Sequence, residues 1–585
     1  SNVFLSLLSN LLTILTMFVQ VAFPISSYQT FTYKVPETFQ KSIQVGIRVK
    51  TSFGKRVVVG IVVGISKMNS FKGKTKSISD VVDSSPILSK HLWNVILWMS
   101  QYYLTPLGQV AKSVLPASLS LKYKPPIKWM VEICDSFTEE NLLSIPVRAK
   151  AQATIAEILY HSKKRTLITT LNEYVSNPLD ICRKLKSKGF VRMSEIVSPP
   201  DVTGFTFDPV QKKIKFNKEQ AETIDKISKA ISNNIYQPFL LHGVTGSGKT
   251  EIYIEAARNA IQSGKTVIIL LPEISLTPQI AGRFRSVFGE EVALWHSKLT
   301  PAQRAWTWKE ICSDTFKVVI GARSAIFSPL KKVGLIVIDE EQESSFKQEA
   351  PAPRYHARDV ALVRGRYEKS AVVLASATPS LESYYNQILG KLDLLHLSKR
   401  FGGAKYPQTH IVDMIKDQEE SGKYGLILSG LLQDKIEDRL GKGEQVILLQ
   451  NRRGYSPVMR CGDCGEVVSC RHCNVSLTFH RNKKKLICHY CGYSPDGISE
   501  SCNSCHSPNM KFFGTGTQRV ESILEETFPK AKIKRLDLDT TKSGAKITAI
   551  LQSFEKGEID ILIGTQMIAK GLDFSNVTLV GIINA

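Results

Sequence analysis

Apolar residues in the middle of this chain come in short unbroken runs, each closed by glycine or by acidic residues. Pro238-Phe239-Leu240-Leu241-His242 stops at Gly243, and Leu335-Ile336-Val337-Ile338 stops at Asp339-Glu340-Glu341-Gln342. Runs of this length, rich in branched residues, predict strands covered on both faces, as in a parallel α/β sheet. Glu251-Ile252-Tyr253-Ile254-Glu255-Ala256-Ala257 reads as a helix. Near the N-terminus the pattern changes. Arg48-Val49-Lys50, then Phe53-Gly54-Lys55-Arg56, then Val57 to Gly64 suit a small twisted sheet with a basic turn. Between Ala149 and Val197 the apolar positions repeat at helical spacing and lead into the basic stretch Lys184 to Val191.

The glycine that closes the first run begins Gly243-Val244-Thr245-Gly246-Ser247-Gly248-Lys249-Thr250, a complete G-x-x-x-x-G-K-[ST] phosphate loop between a strand and a helix. That context aims backbone N–H groups and the positive end of a helix dipole at phosphates. Lys249 is placed for the β- and γ-phosphates of ATP, and the Thr250 hydroxyl for Mg²⁺. The second run puts acids at the C-terminal edge of a strand, where the ligand crevice of such a sheet lies. Asp339 is placed to hold Mg²⁺, and Glu340 to orient and deprotonate water.

At 585 residues and 65.2 kDa the chain exceeds one core and implies a multidomain protein. Its formal net charge of +23 is spread along the chain and favours a polyanionic partner, most plausibly nucleic acid. Val3 to Ile25 carries no charged side chain and is long enough to span a membrane. Ser6, Ser9, Asn10, Thr13, Thr16, Gln20 and Pro24 interrupt it, and no basic region precedes it, so it reads as an extension running into a strand. A natural start at Met17 would make the first sixteen residues foreign to the native protein.

Eight of the eleven cysteines form four C-x-x-C pairs: Cys461/Cys464, Cys470/Cys473, Cys488/Cys491 and Cys502/Cys505. Each pair makes a knuckle offering two thiolates, so four knuckles complete two structural zinc sites. Disulfides are the competing reading, but Cys134, Cys182 and Cys312 are isolated, and an ATP-using enzyme implies a reducing compartment. His472, His480, His489 and His506 are near enough to serve as substitute ligands. Spacing leaves three ways of pairing the knuckles, of which nesting and a side-by-side arrangement are both physically acceptable.

Further segments fall into a fixed succession. Phe216-Asn217-Lys218-Glu219-Gln220 precedes the phosphate loop. After it come Leu271 to Gln279, Gly321 to Phe327, Ser376-Ala377-Thr378-Pro379-Ser380, Leu448 to Gly454 and Gly564 to Phe574. This order resembles superfamily 2 helicases and, with four zinc knuckles after the Asn-Arg-Arg-Gly segment, the PriA (primosomal protein N′) family of bacterial replication-restart helicases.

The resemblance implies an ATP-dependent 3′-to-5′ DNA helicase that recognises stalled or abandoned forks and initiates primosome assembly. It implies a multidomain α/β fold of two RecA-like parallel-sheet lobes, preceded by a small β-rich domain for DNA 3′ ends and a winged helix. The expected boundaries are an extension at 1–18, the 3′-end domain at 19–122, the winged helix at 123–200 and lobe 1 at 201–398. Lobe 2 is expected at 399–454 and 511–585, interrupted by a two-zinc cysteine-rich insert at 455–510.

By the same carry-over Gln220 reads adenine, and Ser376 and Thr378 couple hydrolysis to movement. Gln342 stands where the family's acidic motif ends in His, and its amide can still donate and accept. The zinc pairing implied is nested: Cys461, Cys464, Cys502 and Cys505 for one ion, Cys470, Cys473, Cys488 and Cys491 for the other. Phe31, Gly54 and Lys76 match the 3′-end pocket, with Thr32 in place of a family Asp. Arg323, Phe346 and Tyr355 are expected to contact DNA, with His356 retained nearby and Pro353 where Trp is common. Branched forks, single-stranded DNA, primosome proteins and single-stranded DNA-binding protein are the implied partners, in the cytoplasm on the nucleoid and without a membrane. Since Ala585 falls just beyond the Gly564 to Phe574 motif, the final helicase motif and its arginine finger are expected outside this chain. A fork-binding scaffold, or a translocase with little unwinding, is the alternative.

Overall fold

The computed structural model describes residues 17–69, 71, 73–116, 119, 127–162, 164–197, 215–272, 278–297, 299–400, 406–422, 426–450, 458–480, 485–497, 500–513, 517–536, 544–565, 568 and 574–583. Residues 1–16 of the expected extension and the segments 273–277, 451–454, 566–567 and 569–573 of the motifs above lie outside them, while Met17 and Phe18 already belong to the first strand. The chain divides into two compact units, essentially before and after residue 404.

The first unit opens with strands β1 (Met17–Ala22), β2 (Phe31–Val35), β3 (Arg48–Phe53), β4 (Arg56–Ser66) and β5 (Ile78–Val81). They form one antiparallel sheet in the order β2-β1-β4-β3-β5. Alternation sends Val19, Val21, Val49 and Val62 into a shared core. Phe53 pairs with Arg56, so β3 and β4 join through Gly54-Lys55, and Gly54 takes the positive φ (61°) that tight hairpins require. Helices α1 (Lys90–Tyr102) and α2 (Leu107–Val114) follow, the first capped by the Ser89 hydroxyl.

Next come β6 (Ile127–Ile133), α3 (Lys150–Ser162), β7 (Thr166–Leu167), α4 (Pro178–Ser187) and β8 (Val191–Val197). A three-stranded antiparallel sheet, β7-β6-β8, shares a core of Val131, Ile155, Leu159, Cys182 and Leu185 with the two helices.

The rest of this unit is a seven-stranded sheet in the order β11-β12-β10-β13-β14-β9-β15, with every pairing parallel. Its strands are β9 (Gln237–Gly243), β10 (Thr266–Leu270), β11 (Val292–Trp295), β12 (Val318–Gly321), β13 (Val333–Asp339), β14 (Ala371–Ser376) and β15 (Asp393–Leu397). The unbroken apolar runs are the central strands, buried on both faces. Helix α5 (Lys218–Ser232) precedes β9, α6 (Lys249–Gln262) follows it, α7 (Ala357–Glu368) leads into β14 and α8 (Leu381–Ile388) leaves it. Helix α7 packs against α1, and the His356 N–H donates to the Tyr103 hydroxyl at 3.2 Å.

The second unit holds β16 (Gln445–Gln450), β21 (Ile533–Leu536), β22 (Ile561–Gly564) and β23 (Val577–Ile583) in a parallel sheet, β21-β22-β16-β23. Its core is built from Val446, Leu448, Ile561 and Ile563. Strands β17 (Val458–Cys461), β18 (Thr478–His480), β19 (Lys485–Ile487) and β20 (Met510–Phe513) make a separate antiparallel sheet, β19-β18-β17-β20, that carries the cysteines. Among the described residues no helix is long and apolar enough to cross a membrane.

Candidate functional site

The parallel sheet brings the phosphate loop and the acidic turn to the same edge. The loop leaves the C-terminal end of β9 and the acids leave that of β13, with β14 between them pairing Ala375 with Asp339 and Ser376 with His242. Gly246 and Gly248 have φ of 77° and 81°, a backbone that turns successive N–H groups inward and that a side chain would strain. Lys249 opens α6, and its ammonium donates to the Gly243 carbonyl at 2.9 Å across the loop. Ser247 is buried, and among the described residues its hydroxyl has no partner. A curled loop with inward N–H groups, a lysine and an unspent hydroxyl fits a polyphosphate.

Asp339 Oδ1 accepts from the buried Tyr253 hydroxyl at 3.0 Å and from the Glu340 N–H at 3.0 Å. Burial, reinforced by the neighbouring Glu340 charge, pushes the Asp339 carboxyl up to about 6, against the pull of Lys249 and Tyr253. Two adjacent carboxylates in a desolvated turn fit a divalent cation, which supplies the missing positive charge. Glu340 sits in the left-handed region (φ 50°), a conformation costly for a side chain, and the turn is held there by neighbouring bonds. Gln342 spans the site. Its Nε2 donates to Glu340 Oε2 at 2.7 Å, its Oε1 accepts from the Ser376 hydroxyl at 2.6 Å, and Ser376 Oγ accepts from the Thr378 N–H at 2.8 Å. Glu340, Gln342, Ser376 and Thr378 thus form one hydrogen-bonded chain, which sequence spacing could not show.

Four of the expected residues are engaged by other parts of the protein, and two of them, Phe346 and Tyr355, depart from expectation. Gln220 is buried, with Oε1 accepting from the Asn217 N–H and Nε2 donating to the Ser247 carbonyl, both at 2.9 Å. As placed, it caps α5 and braces the phosphate loop, with one lone pair of Oε1 and one N–H of Nε2 engaged by these bonds. Phe346 and Tyr355 are only 1% and 2% exposed and belong to the lobe core, so neither faces DNA; Tyr355 packs against Phe327 with ring centroids 5.0 Å apart. Apolar rings beside an interior strand are drawn inward by the area they remove from water. Arg323 turns inward as well, donating to the carbonyls of Ser345 and Lys347 and lying over the Tyr355 ring. The exposed cations of this loop are Lys347 and Arg354, which sequence reasoning missed although both are visible there as basic residues.

In the N-terminal sheet, Phe31 is half-buried against Phe23 and Phe53, and the Lys76 ammonium donates to the Gly54 carbonyl at 3.2 Å. Phe31, Gly54 and Lys76 therefore share one end of the sheet around Phe53. Thr32 accepts from the Gln20 amide at 2.8 Å.

The cysteines gather into two groups: Cys461, Cys464, Cys502 and Cys505, and Cys470, Cys473, Cys488 and Cys491, with the Sγ atoms of each group within 4.8 Å of one another. Sulfurs of Cys461 and Cys505 are 3.5 Å apart and those of Cys470 and Cys491 3.6 Å. A tetrahedron of thiolates about 2.3 Å from zinc has edges of about 3.8 Å, whereas a disulfide needs about 2.05 Å. The donor sets fit zinc.

The four knuckles repeat one backbone design. Gly465, Asn474, Gly492 and His506 each follow the second cysteine, take a positive φ and donate their N–H to the carbonyl of the first cysteine. Backbone N–H groups of Cys464 and Asp463 turn toward Cys461 and lower its thiol, and those of Cys491 and Tyr490 lower Cys488, while thiol–thiol contacts raise Cys464 and Cys473 in the same groups, the crowding a bound cation would relieve. Thiolate is the form that binds metal.

Comparison with known proteins accords with this architecture. The family model for the 3′ DNA-binding domain of PriA matches residues 20–116, DEAD/DEAH box helicase matches 217–386, the cysteine-rich region of the PriA DNA helicase matches 470–494, and the helicase conserved C-terminal domain matches 500–585. The chain is 36% identical to the replication restart protein PriA of Bacillus subtilis over 95% of this chain and 76% of that one. It is 37% identical to that of Chlamydia pneumoniae, over 94% and 74%, and 35% identical to that of Haemophilus influenzae, over 97% and 76%.

Proposed function

Because the chain belongs to the PriA family of replication restart proteins, we propose that it is an ATP-driven 3′-to-5′ DNA helicase. In this reading it recognises stalled or abandoned forks and initiates primosome assembly. The observation that carries the reading is the pairing, within one unit, of a strand-loop-helix phosphate site facing an acidic turn with a domain matched as 3′ DNA-binding.

Lys249 and the loop N–H groups bind the phosphates. Thr250 and Asp339 would hold Mg²⁺, which when bound neutralises charge on the β- and γ-phosphates. Glu340 orients the attacking water and takes its proton. Gln342 ties Glu340 to Ser376 and Thr378, so displacement of one moves the others. Single-stranded DNA is engaged by the exposed Lys347 and Arg354, and a nascent 3′ end by Phe31, Gly54 and Lys76. Two zinc ions fold the cysteine-rich insert. Primosome proteins and single-stranded DNA-binding protein are the partners this role requires, on DNA at the nucleoid.

Steady-state ATP hydrolysis with and without single-stranded DNA tests the assignment. Lys249→Ala should lose nucleotide binding, and Glu340→Gln should keep binding while losing turnover by about 10²-fold or more. Strand displacement on forks with opposite tails reads the direction. Near-normal turnover in both variants would end the reading.

A further inference from the structure

The geometry points to Glu341 and Arg358 as a positioning pair that makes ATP hydrolysis answer to DNA held by the 344–356 loop, an inference that rests on the motor reading above. Glu341 is 0% exposed, and burying a carboxylate costs far more than burying an amide unless it is paired and hydrogen-bonded. Here Oε1 accepts from the Ser380 N–H at 2.7 Å. Oε2 accepts from the Ser383 hydroxyl at 2.8 Å, the Ser380 hydroxyl at 3.1 Å and Arg358 Nη1 at 3.1 Å. These donors are protein groups on both oxygens, so Glu341 acts through other residues and not on phosphate or water.

Those residues belong to the three segments that a coupled motor must connect. Glu341 follows Glu340 in the acidic turn, and its N–H is bonded to Ala375 at the end of β14. Ser380 caps α8 two residues after Thr378. Arg358 lies in the first turn of α7, whose cap, His356, ends the loop carrying Lys347 and Arg354. Arg358 Nη1 also donates to the Ser380 hydroxyl at 2.6 Å, so one guanidinium clamps the acidic turn and the α8 cap together. If the loop moved α7 alone, the buried charge of Glu341 would be left unpaired away from water. The three segments therefore shift as a body.

The test is ATP turnover by Arg358→Gln, Arg358→Lys and Glu341→Gln proteins, measured with and without a single-stranded oligonucleotide, with oligonucleotide affinity and thermal melts alongside. DNA-stimulated kcat should fall about tenfold in Arg358→Gln and Glu341→Gln, within the range reported for residues along coupling networks. The DNA-free rate, the KM for ATP and the oligonucleotide Kd should stay within about twofold of wild type. Arg358→Lys, which keeps the charge, should recover much of the stimulation. Arg358 reaches the surface (side chain 13% exposed), so its variants decide the matter if Glu341→Gln fails to fold. Equal loss of basal and stimulated rates, or wild-type stimulation in Arg358→Gln, would overturn the pair as a coupling device. A wild-type protein that DNA does not stimulate would overturn the motor reading and this inference with it.

Discussion

Phe346 separates packing from DNA recognition. Family resemblance implies a DNA contact for it, yet the ring is 1% exposed in the same core as Phe327 and Tyr355. Truncating a fully buried phenylalanine to alanine costs ~3–5 kcal/mol, from lost transfer free energy and the cavity left behind. In a unit this large, that loss should lower the melting temperature by roughly 5 °C. Single-stranded DNA affinity, measured by fluorescence anisotropy well below the melt, should stay within about twofold, because no exposed surface changes. Phe346→Leu keeps most of the volume and should cost less than about 1.5 kcal/mol, restoring most of the melt. A ring stacked on a base would behave in the opposite way. Stacking is worth ~1–3 kcal/mol per base, so DNA affinity would drop by about fivefold to 150-fold in both variants with no change in the melt. That pattern would refute the assignment of Phe346 to the core.

Four other outcomes are expected. Mass spectrometry should find two zinc ions per chain, and Cys488→Ala should lose one while the nucleotide lobe still binds ATP; zero zinc with intact disulfides would overturn the metal assignment. Burial pushes the Cys182 and Cys312 thiols up to about 11, so neither should react with iodoacetamide at pH 8 in the folded protein, as peptide mapping would report. Gln220→Ala should weaken binding of ATP and GTP alike, because it removes a brace of the loop; selective loss of ATP would instead show that Gln220 reads adenine. Lys76→Ala should weaken binding to forks with a 3′ end at the junction more than to forks without one, and flatten the salt dependence by about one released counterion, whereas equal losses would remove Lys76 from a 3′-end pocket.

Local patterns already determined much of this protein. A phosphate loop is legible because its glycines, lysine and flanking strand and helix are contiguous, so a single window holds the whole device. Four C-x-x-C knuckles announce zinc for the same reason, and three of the four residues that need a left-handed backbone after the second cysteine are Gly or Asn. Continuous apolar runs identify buried strands, because a strand covered on both faces has no polar side to show. What the linear chain could not decide were matters of distance between segments far apart in sequence. Gln220 braces Ser247 because α5 crosses the phosphate loop, 27 residues on. Phe346 and Tyr355 turn inward because the lobe core lies beneath the loop that carries them. Glu341 meets Arg358 and Ser380 only because β13 and β14 are neighbours in the parallel sheet, which sets the acidic turn against the caps of α7 and α8. Patterns in sequence report what a residue type can do, whereas burial and pairing depend on which other segments arrive, and only the packed sheet settles that.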